Sequence, residues 1–413
     1  MKVLLLSQHF WPESFRINEV VQSLVEQGCE VTVLTGKPNY PEGQLFSGYR
    51  VGGVQRERHE GYEIVRVPLL PRGAGGARKL LLNYLSFLGC ASLLGPWALR
   101  GRRFDAIFVY GTSPILQAIA AIVLKWVKRA ALIVWVQDLW PDSLEITGFV
   151  RNRRLLAAVA VVVRWIYRRS DLLLVQSPAF VAPVRAMAGP TPVRVHENPG
   201  DRLTPGDARA PTALQLEPGC FNIVFAGNLG TVQSLDCVLD AAERLGAGSG
   251  VRWVLVGSGA RDAWLAAQVA ARGLTQVQLA GRLPPEQMPA VFEQADALLV
   301  SLTGGPALSR TVPSKIQAYL AAGRPILASL DGEGARVVQA AGAGLACPAA
   351  DAEALAAAAR ALQAMPADER QRMGEAGRRH YAEHYEPDRL AKALVEHLKS
   401  AVAARNRQEE KVQ

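Results

Sequence analysis

The chain has no paired cysteines. Cys29, Cys90, Cys220, Cys237 and Cys347 are scattered over 413 residues without metal-ligand or disulfide spacing. That argues against a zinc module or a disulfide framework and fits a reducing compartment. There is no convincing internal repeat and no RNA- or DNA-binding motif, so nucleic acid is not an expected partner. The loop after the first apolar run, Ser7-Gln8-His9-Phe10-Trp11-Pro12-Glu13, lacks the glycines of a dinucleotide fingerprint, which disfavours a Rossmann oxidoreductase. The run itself, Val3 to Leu6, is too short for a secretory leader and reads as a strand. Acidic residues are scarce in one half only. Residues 1–200 carry 24 Lys+Arg against 14 Asp+Glu, and residues 201–413 carry 22 against 23. The net charge of +9 therefore belongs to the first half, where it implies an anionic partner, a membrane surface before a nucleic acid.

What is present is an ordinary globular composition, 49% apolar and 20% charged, which excludes disorder, in a chain long enough for two cores. Apolar runs alternate with helix-like segments throughout, the pattern of parallel α/β sheets. Strands are expected at Val3–Leu6, Val31–Thr35, Glu63–Val67, Ala106–Tyr110, Ala131–Gln137, Leu172–Gln176 and Val193–His196. A second set is expected at Asn222–Ala226, Arg252–Gly257, Val277–Leu279, Ala297–Ser301, Ile326–Ser329 and near Leu345. The proline-rich, aperiodic stretch Asn198 to Gly219 reads as a linker. The expectation is two Rossmann-like doubly wound domains facing across a cleft, 1–200 and 221–380, joined by 201–220. A C-terminal helix, 381–400, returns to the first domain. Residues from Ala367 to Lys399 are helical by pattern, and those from Asn406 look frayed.

Leu80 to Leu99 contains no charge and is flanked by Arg78, Lys79, Arg100, Arg102 and Arg103. Its length permits a membrane crossing. A single crossing would separate two strands of one sheet, so a helix lying on or dipping into the interface is the better reading. Arg151, Arg153 and Arg154, and then Arg164 to Arg169, repeat the theme.

Ligands of open parallel sheets sit at the carboxyl ends of strands, so the loops there carry the chemistry. In the first half these hold His9, Glu13 and Arg16, then Asn39 and Tyr40, then Asp138, Trp140 and Asp142. Asp138 sits where a strand ends. Alternatively, Asp138 or Asp142 caps the following helix, Glu13 pairs with Arg16, and His9 is either a base or a satisfied loop residue. In the second half, Gly227-Asn228-Leu229-Gly230 and Gln233 follow one strand, Gly257-Ser258-Gly259 the next, and Gly281-Arg282-Leu283 the third. Such turns let backbone N–H groups approach a phosphate. Thr311 to Pro325 reads as a loop feeding a helix, with Pro313 in the first turn and Gly323 and Pro325 stopping it. Ser314, Lys315 and Arg310 crowd the positive end of that helix, a seat for a diphosphate.

The motifs VLLLSQHFWPESFRINEVVQSL, WVQDLWPDSLEITG, FAGNLGTVQSLD, WVLVGSG, LAGRLPPEQMPAVFEQADALLVSL and TVPSKIQAYLAAGRPILAS resemble glycosyltransferase family 4, with its GT-B architecture. The GN-L-G-x-x-Q and DLWPDS variants look like the subgroup that builds colanic acid, O-antigen and capsule, including fucosyl- and N-acetyl-fucosaminyl-transferases. The resemblance implies sugar transfer from a UDP- or GDP-sugar with retention of configuration, no cofactor and no metal. It places the donor in the second domain and a lipid-linked saccharide acceptor in the first, on the cytoplasmic membrane face. For that reaction the strand-end position makes Asp138 the expected catalytic carboxylate, orienting the acceptor or stabilising an oxocarbenium-like centre, with Glu13 the second choice. Donor contacts are Gly227, Asn228, Gly230, Gln233, Arg282, Leu283, Arg310, Ser314, Lys315 and Glu333. Acceptor contacts are His9, Arg16, Asn39, Tyr40, Trp140 and Asp142.

The chain departs from the family where two Glu are usual, having Arg310 and Ala318, and where an Arg and a Lys are usual, having Asn228 and Gln233. Either Arg310, Lys315 and Arg282 take over the diphosphate charge, or donor binding is lost and the chain is a scaffold of polysaccharide assembly. A nucleotide-sugar 2-epimerase is the enzymatic alternative.

Overall fold

A computed structural model describes the chain except residues 74–75, 147–149, 151 and 203–211 and the last three. Arg151 and residues 203–211 of the expected linker lie outside the described residues. The chain forms two units, Met1–Asn198 together with the chain from Pro387 onward, and Pro199–Glu386.

The first unit holds β1 (Lys2–Leu6), β2 (Glu30–Thr35), β3 (Gln55–His59), β4 (Tyr62–Arg66), β5 (Ala106–Gly111), β6 (Ala131–Val136), β7 (Leu172–Val175) and β8 (Val193–Val195). Their order is β3-β4-β2-β1-β5-β6-β7-β8, parallel except where β3 meets β4. The second unit holds β9 (Phe221–Ala226), β10 (Val251–Val256), β11 (Val277–Gly281), β12 (Ala297–Ser301), β13 (Ile326–Ser329) and β14 (Gly344–Cys347). All its pairs are parallel, in the order β11-β10-β9-β12-β13-β14.

The central strands are near-continuous apolar runs because helices cover both faces of each sheet. Leu4, Val109 and Val134 line one face of the first sheet, and Leu5, Phe108 and Ile133 line the other. In the second sheet Phe225 and Leu255 divide from Val224 and Val254 in the same way. The tail is two helices, Ala367–His384 and Pro387–Glu410, and the second buries Leu394, Val395, Leu398 and Ala401 in the first unit. It stays helical through residues 406–410, where fraying was expected, past an Arg405 guanidinium that donates to the Ala130 carbonyl.

β3 is the strand that the sequence pattern missed. Its sequence, Gln-Arg-Glu-Arg-His, is polar because it is an edge strand. Glu57 on β3 pairs with Arg66 on β4, and Arg66 is fully buried. The same guanidinium donates to the carbonyls of Gly36 and Trp11, tying the loops after β2 and β1 to the sheet edge.

The apolar helix Ala77–Ala98 is long and apolar enough to cross a membrane by length and composition over Arg78–Ala98. Its inner face is spent on the fold: Asn83, Phe87, Ala91 and Ala98 are buried. Asn83 accepts a hydrogen bond from Gln8 and donates to Leu70. Its outer face exposes Leu81, Leu82, Leu85, Leu93 and Trp97.

Replacing Arg66 by Ala leaves Glu57 and two loop carbonyls without their buried donor. A loss of about 3–5 kcal/mol from the first unit is expected in urea unfolding, the usual cost of breaking one side of a buried pair.

Candidate active site

The second unit gathers its glycine turns and one cation at the carboxyl edge of its sheet. The helix Ser314–Ala322 is pinned there by Tyr319, whose hydroxyl accepts the Ala226 N–H at 3.0 Å from the end of β9. Ile316, Tyr319 and Leu320 are its buried face, as the spacing predicts. Pro313 precedes the first turn as the N-cap instead of standing inside it, and Gly323 ends the helix in the left-handed region. No side chain caps the first turn and no acid lies in it, so its N–H groups and dipole are open to an anion.

Lys315 leaves this turn beneath Gly227. Gly227 has φ +133°, and a Cβ there would lie 2.6 Å from Lys315 Cε. The ammonium sits 3.7 Å from the centre of the Phe225 ring. Lys315 forms no ion pair among the described residues, and burial lowers its pKa from 10.5 to about 8. The neighbouring turns close around it by backbone contact. A Cβ on Gly257 would lie 1.8 Å from the Gly227 carbonyl oxygen, and one on Gly259 would lie 2.4 Å from that of Leu229. The Leu229 N–H donates to Ser258 O at 3.0 Å.

The other donor-side residues fall into groups. Asn228 is exposed between Gly230 and Gly259. Gln233 Oε1 accepts the Gly230 N–H at 3.1 Å and so shapes the loop. Arg282 is exposed after β11, and Leu283 packs partly into the core. Arg310 ends a short turn one loop before Ser314. Glu333 takes both donors of Arg336, at 2.9 and 2.7 Å, and is therefore already charge-paired. Residues 302–305, Leu308, Ser309, Leu330 and Asp331 border a small hollow at the ends of β12 and β13, which sequence reasoning passed over. Phe225 and Tyr319 were also missed as site residues, because an aromatic in a buried strand or helix face reads as core.

The first unit gathers a second cluster at the corresponding edge. Glu13 is 2% exposed. Its Oε1 accepts the N–H groups of Asn39 at 2.7 Å and Tyr40 at 2.8 Å, and its Oε2 lies 2.9 Å from His9 Nδ1. The expected Glu13–Arg16 pair does not form, because Arg16 points to Glu19 at 2.8 Å. Three internal donors surround the Glu13 carboxylate, so it clamps two loops instead of offering a free carboxylate. Asn39 is fully buried, donating to Lys37 O and accepting from the Arg72 N–H, so it is a loop brace in this structure and not an acceptor contact. Trp140 is 5% exposed and its indole donates to Ser113 Oγ, which corrects it to a brace as well.

Tyr40 remains exposed, with the Arg72 guanidinium 5.0 Å above its ring. Asp138 accepts the Ser113 N–H at 2.8 Å and is half-buried after β6. Burial raises the pKa of Tyr110, on the neighbouring strand β5, to about 12. Asp142 opens the short helix Asp142–Ile146.

Two family models match the chain in succession, Glycosyl transferase 4-like domain over residues 14–199 and Glycosyl transferases group 1 over residues 220–364. The chain belongs to the group 1, family 4-like glycosyltransferases. The first match begins just after Glu13, so the His9–Glu13 pair precedes it. A curated relative, the Escherichia coli protein WcaI, is assigned by its name to colanic acid biosynthesis as a glycosyl transferase. It is 27% identical over 345 residues, 78% of this chain and 82% of that protein.

Among solved structures, sucrose-phosphate synthase of Thermosynechococcus elongatus superposes with a TM-score of 0.70 at 18% identity, over 98% of this chain and 99% of that one. Anabaena HepE, solved with UDP and glucose, gives 0.65 at 14% identity, over 97% and 100%. Trehalose 6-phosphate synthase of Burkholderia multivorans gives 0.70 at 13% identity, over 99% and 98%. These likenesses establish the GT-B fold with its two parallel-sheet domains. In this glycosyltransferase the uncapped helix end and Lys315 put positive charge at the carboxyl edge of the second sheet.

A phosphate beside Lys315 favours its charged form, so binding draws a proton onto the amine near and above pH 8. Affinity for a nucleoside diphosphate should therefore fall as pH rises through about 8, approaching tenfold per unit beyond it. Calorimetry of UDP and GDP between pH 7 and 9.5 measures this. Lys315→Met should bind more weakly at pH 7 and lose the pH dependence.

Proposed function

We propose that this glycosyltransferase moves a sugar from a UDP- or GDP-sugar to a lipid-linked saccharide, with retention of configuration, in exopolysaccharide, O-antigen or capsule synthesis. The observation that carries the donor half is Lys315 held under the Gly227 turn at an uncapped helix end. The chain has no Arg or Lys at positions 228 and 233, where the resemblance expects cations, and Lys315 supplies positive charge to the same turn. As the sugar departs, charge develops on the diphosphate. Preorganised N–H groups and a desolvated ammonium stabilise that charge more than water does. HepE, solved with UDP-glucose, supports a nucleotide-sugar donor by analogy. WcaI supports the polysaccharide setting.

The acceptor side is the carboxyl edge of the first sheet. Asp138 there orients the acceptor or stabilises the oxocarbenium-like centre. No metal or cofactor takes part in this reading. The lipid character of the acceptor is supported by the exposed face of Ala77–Ala98, whose Leu81, Leu82, Leu85, Leu93 and Trp97 lie between exposed Arg78, Lys79 and Arg100. Exposed Arg153 and Arg154 open the helix Arg153–Arg169, which exposes Leu155 and Val161. Such faces suit a peripheral position on an anionic membrane, at its cytoplasmic side.

A panel of UDP- and GDP-sugars, read by thermal unfolding, tests the donor. One nucleotide class should raise the melting temperature by mass action. No shift with any of them would remove the donor reading and favour a scaffold. Sedimentation with phosphatidylglycerol vesicles tests the surface: Arg153→Ser with Arg154→Ser should reduce the bound fraction, and an unchanged fraction would rule out that contact.

A further inference from the structure

The helix Ser314–Ala322 carries Lys315 at its start and has no basic residue in its last turn. A second helix of the same unit, Ala367–His384, supplies one. Arg378 donates from Nη2 to the Ala322 carbonyl at 2.9 Å. That bond satisfies one of the free acceptors at the helix end and sets a cation on its negative pole. The two helices also meet at van der Waals limits. A Cβ on Gly374 would lie 2.0 Å from the Gly323 carbonyl oxygen, and one on Gly323 would lie 2.1 Å from Arg378 Nε. Gly377 continues the contact, since a Cβ there would lie 3.4 Å from Leu320 Cδ2.

The longer helix is itself held from elsewhere. The Tyr381 hydroxyl donates to the Asp201 carbonyl, and the Tyr385 carbonyl at its C-cap accepts the Gly200 N–H at 2.8 Å. The short helix is thus fixed at three places: its buried face, the Tyr319 hydroxyl against Ala226, and its last residues against Gly374 and Arg378. An α-helix of nine residues is a rod about 13 Å long, so displacing one end tilts the other.

We infer that Gly374 and Arg378 are positioning residues of the donor site: by fixing the end of Ser314–Ala322 they hold Lys315 and the open first turn beneath the Gly227 turn. This rests on the donor reading above. Both residues act from the far end of the helix. Lys315 reports the result directly. Burial is the cause that lowers its pKa, so its titration measures how closely the helix start is covered.

Two variants disturb the contact in different ways. Gly374→Ala forces the helices apart, and Arg378→Met removes the tether without adding bulk at the glycines. Competitive acylation of amines in the free protein, read at Lys315 by mass spectrometry, should give a pKa of about 8 in the wild type. In both variants it should rise toward 10.5 as the amine loses its cover. Arg378→Lys keeps a cation and a donor at that end and should stay close to the wild type. Calorimetry at pH 7 should show affinity for UDP or GDP falling by about tenfold in the first two variants, as when one charge-assisted contact is weakened.

A purely structural role predicts a lower melting temperature with the titration and the affinity of the folded protein unchanged, and that result would overturn the inference. A wild-type Lys315 titrating near 10.5, or an Arg378→Lys shift as large as that of Arg378→Met, would overturn it too. If Gly374→Ala fails to fold, the two Arg378 variants decide. If the wild type binds neither nucleotide, the donor reading falls, while the Lys315 titration still decides whether the end contact sets the first turn.

Discussion

Parallel hydrogen bonding is the constraint on which the rest depends. β1 pairs in parallel with β2 and β5, and β9 with β10 and β12. Every such strand must leave its sheet at the same edge and return by a crossover on a face. In each unit this brings loops that are distant in sequence to one edge. Glu13 thus meets Asn39 and Tyr40, and Gly227 meets Gly257 and Lys315. None of these contacts is local in the chain.

At the second unit's edge, two effects oppose each other. Close packing of the β9 and β10 turns needs glycine, because any Cβ at Gly257 would strike the Gly227 carbonyl. That closeness shuts water away from Lys315 and makes its charge costly, as its pKa of about 8 records. Among the described residues, the Phe225 ring offsets part of the cost. A cation kept partly desolvated and without a counter-ion is poorly stabilised until an anion arrives. Binding there relieves a penalty already incurred on folding, which is how a preformed site gains affinity from one residue.

The first unit adds another device. Its edge loops are held by buried polar groups as well: Glu13 against two backbone donors and a histidine, Arg66 against two carbonyls and Glu57, Asn39 against Lys37 and Arg72. Each group is satisfied, so burial rigidifies the loops at modest cost. Tyr40 stays exposed on this scaffold, under the Arg72 guanidinium.

The strand runs were legible because a strand buried on both faces must be apolar along its whole length. The helix at Ser314 was legible from its 3–4 spacing, Pro313 and Gly323. Edge strand β3 was not legible, since a polar edge strand looks like a loop until its partner is known. The roles of individual polar residues also stayed hidden. Glu13, Asn39 and Trp140 have the chemistry of contact residues, and the structure turns them inward as braces. Glu333 looked like a free carboxylate, and one helical turn supplies its Arg336 partner. By itself the sequence determined the two α/β sheets, the loops that carry the chemistry and the family, because periodicity and motif are local properties of the chain. Tertiary structure decided which of those loop residues face a ligand and which face each other, because burial and hydrogen-bond partnership depend on residues tens to hundreds of positions away.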